Sequence, residues 1–403
     1  MNSQHMDQTA TLFGLAHILR LAFGGDNLSN ITSELTKRME QDPSDAAAMM
    51  DLSIVLQLND RSQWAIELQL EALRQHQYFE LRSKPANPSL RLLAIMGPGE
   101  IMANTPIDFL VEDSDIAISF LYLGEGLPIP KTIPEHDIAF VAVCESDKSQ
   151  FLLQQLSVIM EHWPKPFLNL PARIAQLSRS RVSERLSTAL GVIVSDAQRQ
   201  TRLMVQRLAD SDSDCFPLIA RPVNSHAGHG LAKIDDSAQA HSYLETHEGD
   251  EFYVAPFIDY RSRDGMYRKF RVVMIAGVPY AAHMAVSQRW MVHYLNADML
   301  DSRSNQHAES KFMADFEIGF AATHREALQD IDRRIGLDYY SIDCAETQDG
   351  KLIVFELDSG AVVHSMDSSE IFPYKAPQMR LVFDAFQRMI RQRAVESHTI
   401  VAA

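Results

Sequence analysis

The chain has 403 residues, of which 46% are hydrophobic and 22% charged. That balance excludes a wholly disordered, collagen-like or fibrous chain. Lys and Arg number 37 against 53 Asp and Glu, a formal charge of −16, which argues against nucleic-acid binding because such binding draws on phosphate neutralisation.

At roughly 100–200 residues per domain the length predicts two to four domains. The opening MNSQHMDQTATLFGLAHILRL carries Asp7 and no basic stretch before its apolar run, so no secretory signal is expected. No segment approaches the ~20 apolar residues of a membrane-spanning helix. Cys144, Cys215 and Cys344 stand apart, with no CxxC. They are expected to be small packed hydrophobes in a reducing cytoplasm.

Residues 1–85 read as all helix. Apolar side chains recur at helical spacing in Leu12, Leu15, Ile18, Leu19 and Phe23, then in Met49, Leu52, Val55 and Leu56, then in Trp64, Leu68 and Ala72. Asp45 is a predicted N-cap and Asn59-Asp60 a predicted turn, giving a helical hairpin. The hairpin weakly resembles one tetratricopeptide repeat, with Leu52, Ala65 and Ala72 near the packing positions. A single unit cannot close a solenoid core, and a helical subdomain packed on the rest is an equal reading.

Beyond the linker SKPANPS, short apolar runs at Leu92–Met96, Ile116–Leu123 and Ile138–Val143 precede a helical pattern through Phe151, Leu152, Leu156, Ile159 and Met160. Buried parallel strands alternating with helices predict an α/β layer. Met96-Gly97-Pro98-Gly99-Glu100 lacks the third glycine of a dinucleotide fingerprint and is expected to be a tight turn. Residues 172–213 read as two helices. From Phe216 to about Arg393 strands, glycine turns and helices mix, and the tail AVESHTIVAA is expected to fray.

Two segments carry chemistry. In Phe216-Pro217-Leu218-Ile219-Ala220-Arg221-Pro222-Val223-Asn224-Ser225-His226-Ala227-Gly228-His229-Gly230 a strand enters a small polar turn with two glycines. Glycine lets backbone N–H groups approach an anion, and Arg221 would face it. In residues 339–360, two β-like runs flank Asp349-Gly350, a hairpin signal. Glu356 and Asp358 are two apart and point to one face of a strand, where an antiparallel partner can bring Asp343. Three hard carboxylates on one face suit Mg²⁺ with nucleotide phosphates.

The Asp343…Glu356-x-Asp358 pattern resembles the metal-binding strands of the ATP-grasp ligases, with Asp358 where an Asn is usual. Arg221-Pro222…Gly228-x-Gly230 resembles their glycine-rich lid, usually Lys-Pro. Asn169-Leu170-Pro171…Arg181…Gly191-Val192 is similar to the stretch leading into it. The resemblance spans about residues 90–393. It implies an α/β (α+β) ATP-grasp fold: a pre-grasp domain over 90–171, a lid subdomain over 172–258 and a core with the metal site over 259–403.

It further implies ATP bound by Arg181, Arg221, Ser225, Gly228 and Gly230, with an adenine hinge at Ala255-Pro256-Phe257 in place of Gln-Glu-aromatic. Asp259 stands in for the missing ribose acid. Mg²⁺ is implied on Asp343, Glu356 and Asp358, and catalytic roles for Arg271 and Arg289. His226, His229, His283 and His364 are given no catalytic role. The implied reaction joins a small-molecule carboxylate to an amine or thiol through an acyl phosphate, releasing ADP and phosphate. Arg263, Arg268, His283 and Ser359 lie near enough in sequence to line an acceptor pocket. A peptide or carrier-protein substrate recognised by the N-terminal helices, and a non-catalytic module on a degenerate scaffold, are the alternatives. The resemblance admits a homodimer and implies no nucleic acid and no membrane.

Overall fold

The computed structural model describes residues 10–25, 28–130, 132–211, 215–223, 225, 228–293 and 297–401, with side chains as far as residue 396. Asp7, Asn224, His226 and Ala227 lie outside the described residues. Two compact units divide the chain: unit 1 holds residues 1–175, 337–339 and 359–403, and unit 2 holds 176–336 and 340–358. The stretch from 359 onward belongs to unit 1.

Unit 1 begins with β1 (Ala10–Leu12), α1 (Leu15–Phe23), α2 (Ser29–Gln41), α3 (Ala46–Leu58), α4 (Ser62–Gln75) and β2 (Tyr78–Leu81). The first 85 residues are thus not helix throughout. β1 pairs in parallel with β2, and β2 runs antiparallel to β4 (Ile116–Tyr122). The α3–α4 hairpin forms as expected: the Asp45 carboxylate accepts from Ala48 N at 2.9 Å, and Asp60 makes the turn at φ 58°. β3 (Leu90–Met96), α5 (Ile107–Leu110), β5 (Ile138–Val141), α6 (Gln150–Met160), β6 (Phe167–Leu168) and α7 (Pro171–Ile174) complete a six-stranded sheet ordered β1-β2-β4-β3-β5-β6. The three predicted strands are β3, β4 and β5. Leu92, Leu93, Ile95 and Phe140 are wholly buried, as strands covered on both faces require.

Unit 2 opens with α8 (Arg179–Leu186), β7 (Val192–Val194), β8 (Gln198–Thr201) and α9 (Arg202–Ala209), so two short strands separate the two expected helices. β9 (Leu218–Pro222), β10 (Ala232–Ile234), α10 (Ser237–Thr246) and β11 (Glu251–Pro256) follow. They form a sheet ordered β10-β9-β11-β8 over a core of Val205, Ala220, Ile234, Tyr243 and Phe252.

β12 (Tyr267–Ile275), β13 (Val278–Ser287), α11 (Arg303–Ala314), α12 (Phe320–Thr323), α13 (Arg325–Ile335), β14 (Tyr339–Glu346) and β15 (Leu352–Asp358) build the second sheet, ordered β13-β12-β14-β15-β7. Ala276 and Gly277 both take positive φ, 48° and 78°, in the two-residue turn whose twist suits a hairpin. Gly350 does the same for β14–β15 at φ 81°. The last helix, α14 (Lys375–Val401), belongs to unit 1 and runs past the point where fraying is expected. Its Phe386 packs edge-on against Phe140 and Tyr339. No described helix is long and apolar enough to cross a membrane.

Candidate nucleotide site

The five-stranded sheet gathers charge on one face of unit 2. Asp343 on β14 pairs across the ladder with Glu356 on β15, and Ser341 pairs with Asp358. With a side-chain period of two, all three carboxylates share a face. A bulge follows at once: Cys344 pairs with Val354, so Phe355 is the extra residue. β12 and β13 carry a second irregularity between Arg271 and Val272. Such bulges turn side chains out of strict alternation, and here both fall beside the charged residues.

Asp343 and Glu356 are each met by cations. Arg271 donates from Nε and Nη2 to the two oxygens of Asp343 at 2.7 and 3.0 Å, and Lys269 Nζ reaches Asp343 Oδ2 at 2.7 Å. Burial alone would raise the pKa of Asp343, but Arg271 and Lys269 outweigh it and hold the carboxyl well below its ordinary value. Glu356 Oε1 accepts from Arg179 Nη2, and Arg179 Nη1 reaches the bulged Phe355 carbonyl at 3.4 Å. Burial also works against ionised Glu356, and the Arg179 charge reverses that and lowers its pKa.

Arg221, at the end of β9, is 9% exposed and donates to the Ser225 hydroxyl at 3.1 Å and to the Ser225 carbonyl. Burial, and then repulsion from Arg179, push it down to about 10. His293 feels the same positive field: burial, Lys269 and Arg271 lower its pKa.

The glycine loop is shaped by contact. Gly230 sits at φ 65°, and a Cβ there would stand 2.6 Å from Pro222 Cδ. Its carbonyl accepts from the Tyr243 hydroxyl at 2.8 Å. Gly228 sits at φ 77°, and among the described residues the nearest atom to a Cβ there is Met291 Sδ at 4.0 Å.

Arg271, Arg221, Ser225, Asp343 and Glu356 are therefore bound into the charged cluster or the adjoining loop. Arg181 is exposed on α8. Arg179, two residues earlier and unremarked in the sequence, makes the contact to Glu356. Its signal was position: it is the first helical residue, facing the strand that α8 covers. Lys269 shares β12 and a face with Arg271, two residues along the same strand. Arg289 is exposed and uses its backbone N–H on the Ser287 hydroxyl at 3.0 Å. Asp259 is paired with Arg261 at 3.0 and 3.1 Å, and that bond lowers its pKa. At the expected hinge, Ala255 is buried in the β9–β11 ladder. Phe257 N–H is already spent on the Pro217 carbonyl at 3.0 Å, and the Pro256 carbonyl accepts from the Ser195 hydroxyl at 3.4 Å. Arg263 is exposed, and Arg268 is engaged by Asp264 at 2.9 Å. Ser359 belongs to unit 1, where its carbonyl accepts from Thr105 Oγ1 at 2.9 Å.

Oxygen donors suit Mg²⁺, but both oxygens of Asp343 are held by fixed cations and Glu356 Oε1 by Arg179. Among the described residues no group of three His, Cys, Asp or Glu is arranged to hold a metal ion. Lys269, Arg271 and Arg179 already supply positive charge to Asp343 and Glu356.

No family model and no curated protein matches the chain. It is similar to three solved structures, among others. One is D-alanine–D-alanine ligase from Bacillus anthracis, at 13% identity and a TM-score of 0.48, covering 76% of this chain and 100% of that one. The second is VanG D-Ala:D-Ser ligase from Enterococcus faecalis, at 12% and 0.46, covering 74% and 99%. The third is a RimK domain ATP-grasp protein from Sphaerobacter thermophilus, at 13% and 0.42, covering 73% and 99%.

Proposed function

We propose that unit 2 carries an ATP-grasp nucleotide site and that the chain is an ATP-dependent carboxylate–amine ligase. The observation that carries this reading is the meeting of Arg179, Lys269 and Arg271 on the cross-strand pair Asp343–Glu356, within the same unit as the glycine hairpin that Arg221 enters. Guanidinium and ammonium groups fixed by carboxylates are preorganised donors for a polyphosphate, and positioning with charge neutralisation is most of what phosphoryl transfer needs.

The chemistry then divides into two displacements. A substrate carboxylate oxygen attacks the γ-phosphorus, the bond to the β-phosphate oxygen breaks, and ADP leaves. The amine attacks the acyl carbon, phosphate leaves with the bonding pair, and the amine proton passes to phosphate or solvent. Arg271 and Arg221 neutralise the phosphates, exposed Arg289 faces the oxyanion of the second step, and the glycine hairpin keeps water from the acyl phosphate. Each protein group binds or orients, and no protein nucleophile is used.

Because Asp343 and Glu356 are ion-paired, a second reading has support: a nucleotide-binding module without turnover. ADP release from the full chain over an amino-acid panel separates the two. Release that is lost in Glu356→Gln supports the ligase. Calorimetric ATP binding that persists in EDTA, with no ADP released under any acceptor, supports the module.

A further inference from the structure

Helix α6 of unit 1 has no charged residue in its 11 positions, although 22% of the chain is charged. Its inner side, Leu152, Leu153, Leu156 and Met160, is buried. From 145 to 162 the exposed positions are 147, 148, 151, 154, 155, 158, 161 and 162. Steps of three and four keep them on one stripe of a helix. Hydrogen-bonded turns carry the stripe past both helix ends: Ser149 N donates to Ser146 O, and His162 N to Ile159 O, each at 3.1 Å.

Phe151 is 53% exposed and Val158 61%. Either alone would be ordinary on a surface. Their order is the observation that points to a partner. The exposed set is symmetric about a midpoint between Gln154 and Gln155. Two identical helices laid antiparallel about a two-fold axis at that midpoint bring together residues equally far from it.

The pairs so formed are complementary. Phe151 meets Val158 of the other copy, apolar on apolar. Gln154 meets Gln155, and each amide both donates and accepts. Lys148 meets Glu161, cation on anion, and Asp147 meets His162. The axis repeats every pair, so one helix supplies both halves of each contact.

We propose that α6 is the surface through which two copies of this chain associate, antiparallel and about a two-fold axis. Charge favours a second copy here. Two chains of formal charge −16 repel over most of their surfaces, whereas α6 offers an uncharged contact with opposite charges at its ends. At 1.5 Å per residue the stripe is about 20 Å long. Eight residues a side fall well short of the roughly 20–30 of a standard interface, so the dimer is weak, with a Kd of about 100 µM.

Sedimentation equilibrium of the full chain from about 5 µM to about 1 mM tests this. A monomer–dimer equilibrium is expected in the parent, at least about tenfold weaker in Val158→Glu, which places a charge against Phe151. Lys148→Glu and Glu161→Lys should each weaken it about fivefold, because like charges then meet twice per dimer. The double variant Lys148→Glu, Glu161→Lys should restore the parent Kd. Within one chain the two residues are about 20 Å apart, so only a contact between copies can rescue. All three positions are exposed, and unchanged melting curves show that each variant folds. A parent that stays monomeric to about 1 mM overturns the proposal, whatever else then binds α6. So does a dimer indifferent to Val158→Glu, or a double variant no better than its singles.

Discussion

Asp343 and Glu356 stand directly opposite one another across β14 and β15, yet different cations hold each: Lys269 and Arg271 the first, Arg179 the second. Two like charges on neighbouring strands would repel. The cations from β12 and α8 remove that cost, and by formal count they balance the three carboxylates of the face.

Removing one cation should therefore expose the repulsion. Arg271→Met leaves Asp343 buried with half its partners gone, and breaking such a pair costs about 3–5 kcal/mol. The double variant Arg271→Met, Asp343→Leu should recover much of that loss. Urea unfolding of the two variants and the parent measures both.

Acid should act through the same carboxyl. Asp343 is held well below its ordinary value in the folded chain, so it binds fewer protons folded than unfolded. Its contribution is present above about pH 4 and is lost as the pH falls below that. Melting curves taken from about pH 6 downward should show an acid-sensitive step that Asp343→Asn removes.

Asp51 and Asp108 behave with the opposite sign. Burial pushes them up to about 7 and about 6 against the pull of their backbone N–H bonds. Between about pH 4 and those values the folded state binds the extra proton, so stability falls as pH rises, by up to about 1.4 kcal/mol per pH unit for each group. Asp51→Asn should flatten the decline in melting temperature between about pH 5 and pH 8. An unchanged slope would mean that Asp51 stays ionised in the fold.

The two loop glycines should differ. Gly230→Ala meets both a positive φ and Pro222 at 2.6 Å, whereas Gly228→Ala meets, among the described residues, only Met291 Sδ at 4.0 Å. The left-handed conformation costs roughly 1–2 kcal/mol in either, and the Gly230 variant adds a clash with a ring that cannot swing away. A larger rise in the KM for ATP is expected for Gly230→Ala, measured by ADP release.

Much of this was legible. The alternation in 352–358 and the Asp349-Gly350 turn place three carboxylates on one face, and the structure has that register. Runs of buried residues marked β3, β4 and β5. What escaped was short or distant. β1 has three residues and β2 four, too few for a period, and they are strands because the sheet edge beside β4 accepts them. The ion pairs were invisible because Arg271 and Asp343 are separated by 72 positions. Spacing shows that acids converge, and says nothing of whether a metal or an arginine will meet them.

The strands of residues 10–81 also change the meaning of an N-terminal deletion. Removing them strips β1 and β2 from the sheet and bares β4, so unit 1 should unfold rather than lose a detachable recognition arm.

Titration of ATP into the full chain by calorimetry, on the parent and on Arg221→Gln, asks the central question most directly. One ATP per chain is expected, with affinity falling at least about tenfold, or ~1.4 kcal/mol, in the variant. A folded parent that gives no binding heat, or an Arg221→Gln chain that binds ATP as the parent does, would contradict a phosphate-binding role for this cationic face.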